Sequence, residues 1–382
     1  MNENIDAISI PVMAECSNSE LSRFTSLYNG IKFANEVNSN QITQLVTSDE
    51  QEHDGTLLKI GSTLYAIYCK YEGTQGDAAV NQTAKVILTK CGIDGTNKED
   101  IIIAQSGNTY AGVEQTGGAG SPNGYVVEDK IYILYTANMA NTYCQMVAKY
   151  DVGSGTLTYN QVLVDDEVLN NTWINQHYNK SFSGTQYLSA QANCSIGDDG
   201  FAYYIGWVYR LNNSGGAIIF KSTDFVNWQI YYEYDEAVAA VYEMPIAYIN
   251  NTLCFAIRPR YAGYGIYGQI NDGKKLINLC YYSNCSSRPT FIIDDNVLYL
   301  VTNPQDRNKM QMIRIDRDFA QNSLVVADCQ LPLNYPSFVL DRSDYTMYVL
   351  RSNNHMEISK FHFYFTRDTD AQAVYANSWS LT

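Results

Sequence analysis

Between Tyr242 and Arg351 one pattern occurs three times, and it restricts the possible folds of this chain more than any other feature. A polar residue stands just ahead of a proline, an apolar run follows, Asp or Asn interrupts it, and a second apolar run ends in arginine or asparagine. The copies read YEMPIAYINNTLCFAIRPR (242–260), SRPTFIIDDNVLYLVTNPQDR (287–307) and NYPSFVLDRSDYTMYVLR (334–351). β-Branched and aromatic runs on either side of an Asn/Asp turn read as β-hairpins. The second strand of a hairpin returns antiparallel to the face where the first began. Opening and closing residues therefore share an end: Glu243 with Arg258, Arg288 with Arg307, and Tyr335 with Arg351.

The same pattern occurs earlier in looser form. HDGTLLKIGSTLYAIYCKY (53–71) turns at Gly61, SPNGYVVEDKIYILYTAN (121–138) at Glu128 and Asp129, and SAQANCSIGDDGFAYYIGWVYR (189–210) at Asp198, Asp199 and Gly200. Six hairpins begin near 53, 121, 189, 242, 287 and 334, which leaves room for two further strands after each, such as KVILTKCGI (85–93) and LINLCYY (276–282). Repeated four-stranded units of this length point to an all-β, six-bladed β-propeller; the units of a solenoid are shorter and more evenly spaced. Residues 51–382 form that propeller in this reading. Residues 1–50 precede it as a short helical or irregular segment with a closing strand, the helix starting at a capping box at Ser17–Glu20. QITQLVT (41–47) or IDAISIPV (5–12) would close the ring against KFHFYFT and AVYANSW near the other end.

Composition excludes several functions. A formal charge of −15 argues against nucleic acid or an anionic membrane as partner. No apolar run approaches the roughly 20 residues needed to span a bilayer. Nine cysteines show neither a Cys-x-x-Cys pair nor zinc spacing and read as buried thiols, so no metal or other cofactor is expected. The first residues do not read as a secretory signal, yet an extracellular or virion-associated location fits best, with homo-oligomer or virion assembly open. Tyrosine is frequent, at 32 residues, as suits large side chains on sheet faces.

A propeller brings the opening residues of its innermost strands to one mouth. That gathers Asp54, Glu243, Arg288 and Tyr335 round one pocket, with Arg258, Arg307 and Arg351 just outside. Eight of the eleven arginines lie between Arg258 and Arg351. Guanidinium forks bind carboxylates through paired hydrogen bonds, so a ligand bearing a carboxylate is expected. Where that carboxylate sits on the anomeric carbon of a sugar, a carboxylate nucleophile meets like charge. A neutral tyrosine activated by a neighbouring glutamate avoids this, and an aspartic acid can protonate the leaving oxygen. Plainer readings are that the arginines are solvated strand ends and that Glu243 pairs with one of them.

Residues 242–351 resemble the catalytic half of the sialidase (neuraminidase) superfamily. The resemblance rests on Glu243 opening a strand pair that closes on Arg258, on Asn303, Pro304 and Arg307 ahead of MQMIRI, and on Tyr335 in NYPSFVL. It implies Tyr335 with Glu243 as the nucleophile pair, Asp54 as acid, and Arg258, Arg288, Arg307 and Arg351 as substrate-binding residues. No Phe-Arg-Ile-Pro-like segment occurs before residue 121, and only STDFVNW (222–228) keeps the Ser, Asp and Trp of an Asp box. Two functions follow. One is a sialidase-like glycosidase acting on a carboxylate-bearing terminal sugar of a glycan; the other is a non-catalytic propeller that binds glycan or has a structural role, such as a phage tail or receptor-binding protein.

Overall fold

The computed structural model describes residues 31–33, 40–45, 50–72, 83–177, 195–209, 214–239, 243–258, 264–283, 288–294, 297–302, 310–315, 324–329, 334–341, 343, 346–353 and 355–365. The expected helix near Ser17–Glu20 lies outside them, as do Arg307, Asn303 and Pro304.

All six expected hairpins are present, and residues able to take the left-handed turn conformation make several of them. Ile246–Ile249 and Thr252–Ile257 turn at Asn250 and Asn251, whose φ angles of 52° and 57° suit a two-residue hairpin loop. Glu50–Ile60 and Thr63–Glu72 turn at Gly61, with φ 58°. Val113–Val127 and Lys130–Met139 turn at Glu128, with φ 56°.

Each hairpin is extended sideways into a sheet, giving six sheets among the described residues. Five are each headed by one of the first five hairpins. The sixth is assembled from both ends: Asn334–Asp341, Thr346–Asn353 and His355–Phe365 are joined by Ile31–Phe33 and Asn40–Gln44, both antiparallel to His355–Phe365. The expected four-stranded unit holds only for the first, fourth and fifth sheets; the second and sixth have five strands and the third has six. The extra strands of the third include Leu163–Val164, which follows the last strand of the second sheet in the chain and pairs parallel with Asn227–Ala239. One α-helix, α1 (Asn171–His177), lies in the chain between the strands Glu167–Val168 and Ser195–Ile196 of the third sheet, and the Asn170 Oδ1 caps it by accepting from the Trp173 N–H at 2.9 Å.

Among the described residues, apolar faces join five neighbouring pairs of sheets. Tyr65, Ile67 and Leu88 of the first sheet pack with Ile131, Ile133 and Tyr135 of the second. Leu134 and Val147 of the second meet Tyr204 and Phe220 of the third, and Ile205 and Ile219 of the third meet Leu253 and Phe255 of the fourth. Ala247, Cys254 and Tyr267 join Phe291 and Leu300 of the fifth. Leu57, Leu64 and Tyr68 close the circle against Tyr348, Leu350 and Ile358 of the sixth. The strand that opens each of the last two sheets also touches its neighbour, Thr290–Asp294 against Asn334–Asp341. The abundant tyrosine is explained here: Tyr68, Tyr135, Tyr203, Tyr204 and Tyr267 are fully buried in these seams.

Candidate functional site

The hairpin geometry sets two ion pairs where strands open and close. Glu243 precedes the first strand of the fourth sheet and Arg258 follows the second. Arg258 Nη1 donates to Glu243 Oε2 at 2.6 Å, both side chains are buried, and the Arg258 N–H reaches the Glu243 carbonyl oxygen at 3.3 Å. In the sixth sheet Arg351 lies opposite Glu357 on the neighbouring strand. Arg351 Nε and Nη2 both reach Glu357 Oε1, at 2.8 and 2.7 Å, and the Ser359 hydroxyl donates to the same oxygen at 2.9 Å. Glu357 was not singled out by the sequence; the signal was available, since two strand partners of opposite charge face each other across the ladder.

Tyr335 and Asp54 share a backbone feature. In the sixth sheet Asn334 pairs with Ser352 but Ser337 pairs with Leu350, so Tyr335 and Pro336 bulge out of the ladder. Tyr335, half-buried, takes φ 51°, a left-handed conformation that costs a tyrosine about 1–2 kcal/mol. In the first sheet His53 pairs with Cys69 and Gly55 with Tyr68, which leaves Asp54 as the extra residue of a second bulge.

Arg288 joins the two bulges. It stands just before Thr290–Asp294, has no exposed surface, and its Nη2 lies 2.6 Å from the Gly55 carbonyl oxygen and 3.1 Å from those of Tyr335 and Pro336. The first, fifth and sixth sheets thus meet at one guanidinium. Close approach is allowed by Gly55, where a Cβ would fall 2.6 Å from Leu350 Cδ2 and 2.9 Å from the Ile67 carbonyl oxygen. The Leu57 N–H donates to the Ser337 hydroxyl at 3.0 Å, a second tie across the same seam.

Of the residues singled out in the sequence, Arg288, Tyr335 and the Asp54 bulge come together, while Glu243 with Arg258 and Arg351 with Glu357 form two buried pairs. Arg288 faces backbone carbonyls and has no exposed surface. Arg307 lies outside the described residues. STDFVNW forms a tight turn between Ser214–Ser222 and Asn227–Ala239. There the Ser222 hydroxyl donates to the Asn227 carbonyl at 2.6 Å, Asp224 Oδ1 accepts from the Val226 and Asn227 N–H groups at 2.9 and 2.7 Å, and Trp228 Nε1 donates to the Phe225 carbonyl at 2.9 Å. Among the described residues no cluster of three or more His, Cys, Asp or Glu could hold a metal ion, and no helix is long and apolar enough to cross a membrane.

No protein-family model and no curated protein matches the sequence. Solved structures do match the fold. The Hadza microbial sialidase Hz136 superimposes with a TM-score of 0.60 at 13% identity, covering 85% of this chain and 68% of that one. The fold is a sialidase-like β-propeller. Trypanosoma rangeli sialidase in complex with sialic acid matches with a TM-score of 0.58 at 12% identity, over 91% of this chain and 58% of that chain. A protein of unknown function from Dyadobacter fermentans matches at 0.61 and 13% identity, over 88% of this chain and 99% of its own. This propeller therefore spans little more than half of the trypanosomal enzyme and nearly all of the Dyadobacter protein.

Proposed function

We propose that this propeller is a sialidase-like glycoside hydrolase acting on a carboxylate-bearing terminal sugar of a glycan. In this reading Tyr335 is the nucleophile with Glu243 as its partner, Asp54 is the acid, and Arg258, Arg307 and Arg351 supply the positive field for the carboxylate. Each of the six sheets counts as one blade, residues 51–382 form the propeller, and residues 1–50 contribute closing strands. The observation that carries the proposal is the junction of two bulges, at Asp54 and at Tyr335, on a single guanidinium, that of the buried Arg288. Bulges next to active sites re-aim side chains, and two that share one clamp from a third sheet hold their residues in fixed relation.

The test is turnover of a fluorogenic sialoside by the wild-type chain and by Tyr335→Phe. Turnover lost in the variant supports the proposal. A wild type that is inert while binding persists on a glycan array gives the second reading, a non-catalytic glycan-binding propeller. That reading is favoured by one specific observation: Arg258 and Arg351 already hold carboxylates of the protein itself, so a ligand must compete with Glu243 and Glu357.

A further inference from the structure

We infer that Arg288 is a positioning residue, which sets the backbone of Tyr335 and of the Asp54 bulge at once without touching substrate. The inference rests on the reading of Tyr335 as nucleophile for its kinetic consequence, and on the structure alone for its geometric one.

The argument starts from what a bulge does to a ladder. Tyr335 and Pro336 leave the register between Asn334 and Ser337, and Pro336 brings no N–H to the ladder. A buried carbonyl needs a donor, and a charged donor that reaches it strengthens the hold on the bulge. Arg288 Nη2 is such a donor, at 3.1 Å from the carbonyl oxygens of both residues. The same nitrogen lies 2.6 Å from the Gly55 oxygen, immediately after Asp54. Its two N–H groups are shared among three carbonyls on two sheets, so moving any one acceptor shifts the others. Hydrogen bonds from a charged donor are shorter and stiffer than neutral ones. The φ of 51° at Tyr335 marks where this stiffness is used, since a tyrosine left to itself would leave the left-handed region.

A lysine at 288 could keep the buried charge, but its side chain is one bond shorter, so its ammonium falls short of the place of Nη2. The experiment incorporates 3-fluorotyrosine at position 335 and compares wild type, Arg288→Lys and Arg288→Met by ¹⁹F NMR well below the melting temperature. Steady-state kinetics on the fluorogenic sialoside run alongside. The expected result is a displaced or broadened resonance in both variants, larger for Met. In the active protein kcat falls on the order of a hundredfold for a displacement near 1 Å, while KM stays within about threefold because Arg288 does not touch substrate. A variant whose resonance coincides with wild type, with kcat unchanged, overturns the inference. Should Arg288→Met fail to fold, the Lys variant alone decides it. A wild type without sialoside turnover counts against the catalytic reading only; the position of the resonance still decides whether Arg288 sets Tyr335.

Discussion

Removing Glu243 from its pair with Arg258 tests how firmly the site is closed on itself. The contact is 2.6 Å long, and Glu243 and Arg258 are 3% and 8% exposed, so neither charge is well solvated. Breaking such a pair from one side leaves a buried charge and costs about 3–5 kcal/mol. Arg258 keeps further interactions, including its N–H to the Glu243 carbonyl, so the lower end, about 3 kcal/mol, is expected for Glu243→Leu. Arg258→Met should cost a similar amount. The double variant should cost much less than the sum, because two apolar side chains of similar size nearly break even with a buried ion pair. The coupling expected from the double-mutant cycle is therefore about 2 kcal/mol or more. Urea unfolding followed by tryptophan fluorescence measures it, provided m is unchanged across the four proteins. Single variants that each lose under about 1 kcal/mol and add without coupling would refute the reasoning, since that is how an exposed pair behaves. Such a result would also show Arg258 available to a ligand carboxylate at little cost.

Three further outcomes follow from the same structure. Lys59 and Ser343 hold the Asp341 carboxyl below its ordinary range, the Lys59 contact being 2.8 Å across the seam between first and sixth sheets. A depressed carboxyl contributes stability above its unfolded pKa of about 3.9 and loses it as pH falls through the folded value. The gap between wild type and Asp341→Asn in urea midpoint should thus be present at pH 6, about 1 kcal/mol at most, and vanish in acid; a gap that widens in acid would contradict the sign. Phe225 takes φ 64° yet its ring stacks on Tyr132 at 4.0 Å and meets Tyr125 edge-on at 5.0 Å. Phe225→Gly should relieve about 1–2 kcal/mol of strain and lose about 3–5 kcal/mol of packing, so a stabilised variant would show that the packing is overrated. Burial pushes the Cys144 and Cys254 thiols up to about 11, so neither should react with a disulfide reagent at pH 8 until the protein is unfolded; labelling in the native state within minutes would contradict their burial.

What the sequence shows well is what its local chemistry decides. Asn250–Asn251, Gly61 and Glu128 mark turns because few residues accept positive φ, and the apolar runs beside them can only be strands. The second hairpin of each sheet is harder to see. Tyr264–Asn271 was missed because glycine weakens a strand signal, yet Gly268 is there to admit the Phe255 ring, which a Cβ would strike. Helix α1 was missed because seven residues carry too little periodicity, although Asn170 caps it. At the site, the pairing of Glu243 with Arg258 follows from hairpin geometry alone. The burial of Arg288 is not legible there, because a three-sheet junction is a property of the closed ring and not of the Arg-Pro dipeptide.

The bulges at Asp54 and Tyr335 are the deeper reason that a site of this kind is only half legible. Alternation of apolar and polar residues reports which face of a sheet a side chain takes, and a bulge exists to break that alternation. In the first sheet the break falls beside Gly55, in the sixth beside Pro336, and neither residue is unusual in a strand end. What makes the two breaks tolerable is a donor 233 residues from one and 47 from the other. Ring closure supplies that donor, so the backbone distortion and its compensation are encoded in different blades. A chain that fails to close should therefore lose the geometry at Tyr335 before it loses its hairpins, whose turns and apolar seams are local.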